Sequence, residues 1–282
     1  MAVSDALGDR RSVRVPAGTL EYRERGSGPP VVFVHGAAVN GDLWRKVAPE
    51  LAGEHRCIAL DVPLGGHSIA LDDEPDLSLF GVARIVADFL EALDLADVAV
   101  VANDTGGAVS QALVGRHPER VGQLVLTSCD AFENFQPKAV AYLPWLARVP
   151  GSFRVVGHAL RLRPLQRLPI TYGWATHRPI DPRIVDSYMS GLRGSAGVRR
   201  DFARMLRAAD PRDTLEAAEL LRSFDRPALV VWAADDKFFP REHGRRLAEL
   251  LPQGRFELVA DSRTFIPEDN PEALVQLLHS VL

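Results

Sequence analysis

Apolar residues fall along this chain in short unbroken runs, separated by stretches in which they recur with helical spacing. Val31–Val34, Val98–Val101 and Ala228–Trp232 are runs without a polar interruption, the pattern of strands buried on both faces of a parallel sheet. Arg56–Leu60, Leu124–Thr127 and Phe256–Val259 predict three more strands. Val13–Val15 and Leu20–Arg25, split by Pro16-Ala-Gly-Thr19, predict an edge hairpin. Between the runs, Leu43–Leu51 reads as helix, and Leu77–Leu95 places Phe80, Val82, Ile85, Val86, Phe89, Leu90 and Leu93 on one helical face. Helices are also expected from the end of the central strand to about Gly115, and over Leu215–Leu221, Arg241–Leu251 and Pro271–Leu282. Strands alternating with helices imply right-handed crossovers and a mostly parallel α/β sheet of eight strands, covered on both faces.

The rhythm breaks once. Between Phe135 and about Leu215 no clear strand appears, and proline, arginine, aromatics and short helical stretches dominate. Residues 136–215 are therefore expected to form a helical cap inserted into a core made of 1–135 and 216–282. The inserted stretch holds 13 Arg and one Lys against five Asp, so it carries +9 and the remainder −13. This charge is either a basic lid on an acidic body or a set of solvated helix faces. Overall, 46% hydrophobic and 25% charged residues with a net charge of −4 describe an ordinary globular protein and point to neither nucleic acid nor membrane partners. No apolar run approaches the roughly 20 residues that cross a bilayer, and the N-terminal residues lack a signal peptide's apolar core. A cytoplasmic location is expected. Cys57 and Cys129 fall in or beside predicted strands and read as buried small hydrophobes, not as a disulfide or metal pair.

The chain is organised around VAVVANDTGGAVSQALV, Val98–Val114. A buried strand, a turn at Asn103–Asp104 and a helix opened by Gly106 and Gly107 succeed each other within very few residues. In the pattern G-x-S-x-G this corner is a nucleophile elbow that projects a side chain above the sheet. Here Ala102, Asp104 and Gly106 give A-x-D-x-G, with a carboxylate in the serine's place. On this stretch alone, Asp104 is either that projected group or a cap for the following helix.

Further marks accompany the elbow: His35-Gly36 after a buried strand, an Asp-x-Pro loop at Asp61, Trp232-Ala-Ala-Asp-Asp236-Lys-Phe-Phe-Pro240, and Asn270-Pro271-Glu272 opening the last helix. In this order and spacing they resemble the α/β-hydrolase superfamily over nearly the whole chain. An Asp at the elbow is similar to haloalkane dehalogenases, fluoroacetate dehalogenases and epoxide hydrolases, whose carboxylate attacks carbon without first losing a proton. The resemblance implies an oxyanion hole from the backbone N–H groups of Ala37 and Thr105, with His35 supporting the turn and facing the substrate side. It implies Asp236 as the acid of a triad, with its neighbour Asp235 a nearby candidate and Asp130 an alternative. A simple turn-forming and helix-capping role for Asp236 is open beside it.

The family's pattern fails at its third member. The loop after the last strand, Ala260–Pro271, holds no histidine, and counting from either end places Thr264 in the histidine's position. A threonine hydroxyl is no base at neutral pH, so an ester on Asp104 would stall unless another group activated water. His55, His117, His243 and His279 are poorly placed; His67, His158 and His177 could approach from loops. Substrate-facing aromatics are expected from the cap: Tyr142, Trp145, Tyr172, Trp174 and Tyr188, the tyrosines because epoxide hydrolases use such groups to polarise oxygen. Thr105 stands where dehalogenases commonly carry a halide-holding Trp. Three readings follow: an Asp-nucleophile hydrolase of small apolar molecules that needs no cofactor or metal; a cofactor-free isomerase, lyase or cyclase; or a ligand-binding pseudo-hydrolase.

Overall fold

The computed structural model describes residues 2–72 and 74–282. Eight strands form one sheet: β1 Asp9–Val15, β2 Gly18–Arg25, β3 Pro30–Val34, β4 Arg56–Leu60, β5 Val98–Asp104, β6 Val121–Cys129, β7 Ala228–Ala233 and β8 Gly254–Val259. Their order is β1-β2-β4-β3-β5-β6-β7-β8. The β1–β2 hairpin runs antiparallel, β2 meets β4 antiparallel, and every pairing from β4 to β8 is parallel. The apolar runs lie in the middle. Val31–Val34 and Val98–Ala102 are buried on both faces, whereas β1 at the sheet edge is largely exposed, which is why only the latter carries charged residues.

The helices in chain order are α1 Ala48–Leu51, α2 Leu79–Ala92, α3 Thr105–Arg116, α4 Leu143–Leu146, α5 Ser152–Ala159, α6 Arg163–Gln166, α7 Pro182–Gly194, α8 Ala196–Ala208, α9 Pro211–Leu220, α10 Arg241–Leu250, α11 Ile266–Asp269 and α12 Pro271–His279. Leu43–Leu51 is not one helix. A 3-10 turn over Gly41–Trp44 precedes α1, because Pro49 has no N–H to continue a helix from the residues before it. The helix expected from Leu215 begins four residues earlier, where Asp210 accepts the Arg212 amide and Pro211 occupies the first turn. Six helices, α4 to α9, fill the connection between β6 and β7. Two of them, α4 and α6, are only four residues long.

Cys57 and Cys129 are both buried free thiols. Among the described residues, no helix is long and apolar enough to cross a membrane.

Candidate active site

The parallel register sets Asp104, the last residue of β5, opposite Cys129, the last of β6. Asp104, Asp130 and the loops after β3 and β7 therefore meet at the carboxyl edge of the sheet, where open α/β sheets place their ligands. Asp104 has φ 56° and ψ −133°, a left-handed-side backbone that costs a non-glycine residue of order 1–3 kcal/mol. Its side chain makes no capping bond to α3. Instead Oδ2 accepts the Ala37 amide at 3.2 Å, and the Thr105 amide also favours the charged form. The corner closes only because α3 starts against β3: a Cβ on Gly106 would overlap the carbonyl oxygens of Val34 and His35.

Gly36 is equally constrained, since a Cβ there would overlap the Asp104 carboxyl itself. Gly36→Ala is expected to push that carboxyl off the Ala37 amide, and any turnover that depends on this contact is expected to fall by at least ~100-fold, roughly the worth of one positioned donor. The core would survive, so single-turnover rates measured beside a melting curve separate the two effects.

Burial moves the Asp104 pKa from 3.8 up to about 7; the Ala37 amide pulls it down, the Asp236 charge pushes it up, and the Thr105 amide again pulls it down. Asp130 is 1% exposed. Its Oδ2 accepts from Thr105 Oγ1 at 2.9 Å, and burial followed by the Asp104 charge drives its pKa well above the ordinary range. Asp236 Oδ1 accepts the amides of Phe238 and Phe239 at 2.8 and 2.9 Å and the Thr264 hydroxyl at 2.9 Å. Asp236 thus shapes its turn but does not cap α10, whose N-cap is Pro240. Its pKa is also raised, first by burial. Asp235 turns away, to His177 Nε2 at 3.1 Å.

Thr264 stands on Asp236 as a donor, and Asn103 Nδ2 holds its carbonyl at 2.8 Å. Thr264→Val leaves Asp236 both amides, so the lost hydroxyl is expected to cost about 1 kcal/mol, read as a Tm lower by roughly 2 °C.

Above these groups lies an apolar cavity of about 150 Å³. Asp104, Asp130, Thr105, Thr264, Ala37 and Ala38 form its floor, and Phe153, Met189, Phe202 and Phe238 are among its walls. No Lys, Arg or His is among its lining residues. Tyr142 and Tyr172 line it; Tyr142 OH donates to the Ile170 carbonyl and Tyr172 OH to the Ala38 carbonyl, at 2.9 and 2.7 Å.

The other four expected substrate-facing residues are elsewhere. His35 is buried under the site with Nδ1 at 2.8 Å from the Gly36 carbonyl, while Nε2 accepts the Val62 amide at 2.9 Å. Burial lowers its pKa to about 3. That leaves it neutral with its lone pair committed, a brace for the turn. Trp145 is 66% exposed, on a helix too short to be oriented by an apolar stripe. Trp174 packs its ring 6.2 Å from that of Phe238 and is not among the cavity's lining residues. Tyr188 is fully buried beneath Tyr172 and reaches Glu268 Oε1 at 3.4 Å. Asp130, by resemblance an alternative acid for the triad, lies on the cavity floor itself. Only the register of β6 against β5 brings it there.

Residues 29–271 match the family described as alpha/beta hydrolase fold, and the chain belongs to that family, as an α/β-hydrolase-fold enzyme. It is 28% identical over 272 residues to haloalkane dehalogenase 2 of Mycobacterium bovis, covering 91% of this chain and 89% of that one. A 113-residue stretch is 38% identical to a haloalkane dehalogenase of Mesorhizobium japonicum, covering 40% of this chain and only 36% of that protein's length. An alpha/beta hydrolase fold protein from Burkholderia ambifaria superposes with a TM-score of 0.78 at 24% identity, over 97% of both chains; that likeness concerns the fold alone.

Proposed function

We propose that this enzyme attacks an electrophilic carbon of a small, uncharged, apolar molecule through Asp104, in the manner of haloalkane dehalogenases and epoxide hydrolases. One observation carries the reading: Asp104 sits on a strained strand–helix corner, does not cap the helix, and opens into an apolar cavity with one oxygen on the Ala37 amide. A carboxylate in that position needs no base to become nucleophilic. The Ala37 and Thr105 amides would then receive the negative charge that develops when the resulting ester is hydrolysed. Residues 136–215, read as a cap, supply the apolar roof. Because no cation lines the cavity, a substrate bearing its own carboxylate would enter unpaired, which favours alkyl halides and epoxides over halo-alkanoates.

The placement of Thr264 on Asp236 favours a second reading. There Asp104 is a general acid or base in a cofactor-free isomerisation, elimination or cyclisation, and no ester forms.

The test is to incubate the protein with a 1-bromoalkane, an aryl epoxide and an aryl ester and to weigh it intact. An alkyl mass added at Asp104, or hydrolysed product with oxygen passing through Asp104, supports the nucleophile. Neither adduct nor product from any of the three overturns it, and tight binding without chemistry then points to a ligand-binding protein.

A further inference from the structure

The proposed attack leaves two proton problems that the site must solve without an imidazole. A ring-opened oxygen needs a proton, and the ester that follows needs a base to activate water. The lining residues supply few groups for this. The hydroxyls of Thr105, Thr171, Thr264, Tyr142 and Tyr172 are already donating, to Asp130, the Leu165 carbonyl, Asp236, and the Ile170 and Ala38 carbonyls. The remaining titratable group on the cavity floor is Asp130.

Its setting is unusual for a structural carboxyl. It lines the cavity, is almost fully buried, and Oδ1 has no hydrogen-bond partner. Thr105 Oγ1 donates to its Oδ2, and the Gln136 amide also favours its charged form. The titratable groups facing it are Asp104 from the end of β5, Asp236 from the loop after β7, and the neighbouring Cys129 thiol. All three are acids, and no cation lines the cavity. Burial and each other's charge raise both carboxyls, which favours a pair that shares one proton near neutral pH.

We propose that Asp130 carries the proton for this chemistry, and that the Asp104–Asp130 pair thereby suits an epoxide better than an alkyl halide. The inference rests on the reading of Asp104 as nucleophile. In the first step an Asp104 oxygen bonds the epoxide carbon, the C–O bond breaks, and its electron pair takes the proton from Asp130, giving a hydroxyl and an ester. Asp130, now a carboxylate, takes a proton from water as the hydroxide bonds the ester carbonyl carbon. Collapse of that adduct expels the diol alkoxide, which takes the proton from the newly formed Asp104 carboxylic acid. Epoxide plus water has become diol, and the pair ends as it began, with Asp130 protonated and Asp104 ionised. A halide leaves without a proton, so Asp130 keeps its own through the alkylation and must release it to solvent before it can act as the base on the alkyl ester.

Asp130→Asn tests this with both substrates. The expected result is loss of epoxide turnover by at least a hundredfold, while a 1-bromoalkane still adds its alkyl mass to Asp104 and the adduct accumulates. Epoxide turnover at the wild-type rate in Asp130→Asn overturns the role of Asp130 and leaves the nucleophile standing. No adduct and no diol from the wild type with either substrate removes the nucleophile reading and this inference together. If Asp130→Asn does not fold, as read by its melting curve, Thr105→Val decides. Losing the hydroxyl that favours ionised Asp130 is expected to move the alkaline limb of epoxide turnover upward in pH, whereas Thr105→Ser restores it. An unmoved limb overturns the proposal.

Discussion

Asp104→Asn is expected to abolish alkylation by a 1-bromoalkane and to lower any hydrolytic turnover by at least ~10³-fold, because an amide neither attacks carbon nor leaves as a carboxylate. The same variant is expected to be more stable than the wild type. In the folded protein burial holds the Asp104 pKa near 7, against 3.8 for an ordinary aspartate. The unfolded chain therefore releases this proton first. Stability from the protonated group is fully present below pH 3.8 and is lost as pH rises towards about 7. Above that point the folded protein bears an ionisation cost on the order of a few kcal/mol, together with the backbone strain of the corner. Asparagine removes the ionisation cost and keeps the shape. Melting curves at pH 8 should show the variant with the higher Tm, and the gap should narrow steadily as the pH falls towards 4. A variant that is less stable at pH 8 would show that the carboxylate is better solvated than its burial implies.

The second large effect is on rate. If only ionised Asp104 attacks, alkylation by a bromoalkane should rise about tenfold per pH unit up to about pH 7 and then level off. Two units below that plateau the rate should be down about a hundredfold. The direction follows from the raised pKa. An unshifted aspartate would give a flat profile from pH 5 upward, so stopped-time adduct measurements between pH 5 and 9 distinguish the two. The Asp236 charge adds to the elevation, so Asp236→Asn should move the midpoint towards lower pH.

The sheet was readable from the chain because buried strands announce themselves as unbroken apolar runs. Val31–Val34 and Ala228–Trp232 could hardly be anything else once helices were found between them. The Asp104 corner was partly readable for a related reason: a strand, two glycines and a helix compressed into so few residues force a sharp turn, but they leave open whether the carboxyl projects from it or caps the helix. The roof of the cavity was much less legible. Helix α4 spans only Leu143–Leu146, so no repeat of apolar positions says which way Trp145 points, and it points outward. Tyr188 sits on α7, a longer helix with a clear apolar face, and aromatic character alone could not say that its ring packs against Tyr172 while Met189 and Leu192 of the same helix line the cavity. The resemblance implies that His35 both supports the turn and faces the substrate; both of its ring nitrogens serve the backbone, so it braces the turn. Asp130, named from the resemblance as an alternative acid, owes its place on the cavity floor to the register. A shift in the β5–β6 pairing between Asn103 and Asp104 sets Asp104 opposite Cys129, and one residue further the chain turns its carboxyl onto the cavity floor. No pattern within either strand carries that information.

The bond from the Tyr172 hydroxyl to the Ala38 carbonyl ties a residue of the roof to the loop that also presents the Ala37 amide. If the roof lifts to admit a guest, this tether parts, and the loop that grips the Asp104 oxygen loses a guy-rope at the same moment. Sealing the chamber and tightening the grip on the reactive group would then be a single event, so an unsealed molecule would sit idle in water with its reactive group loosely held.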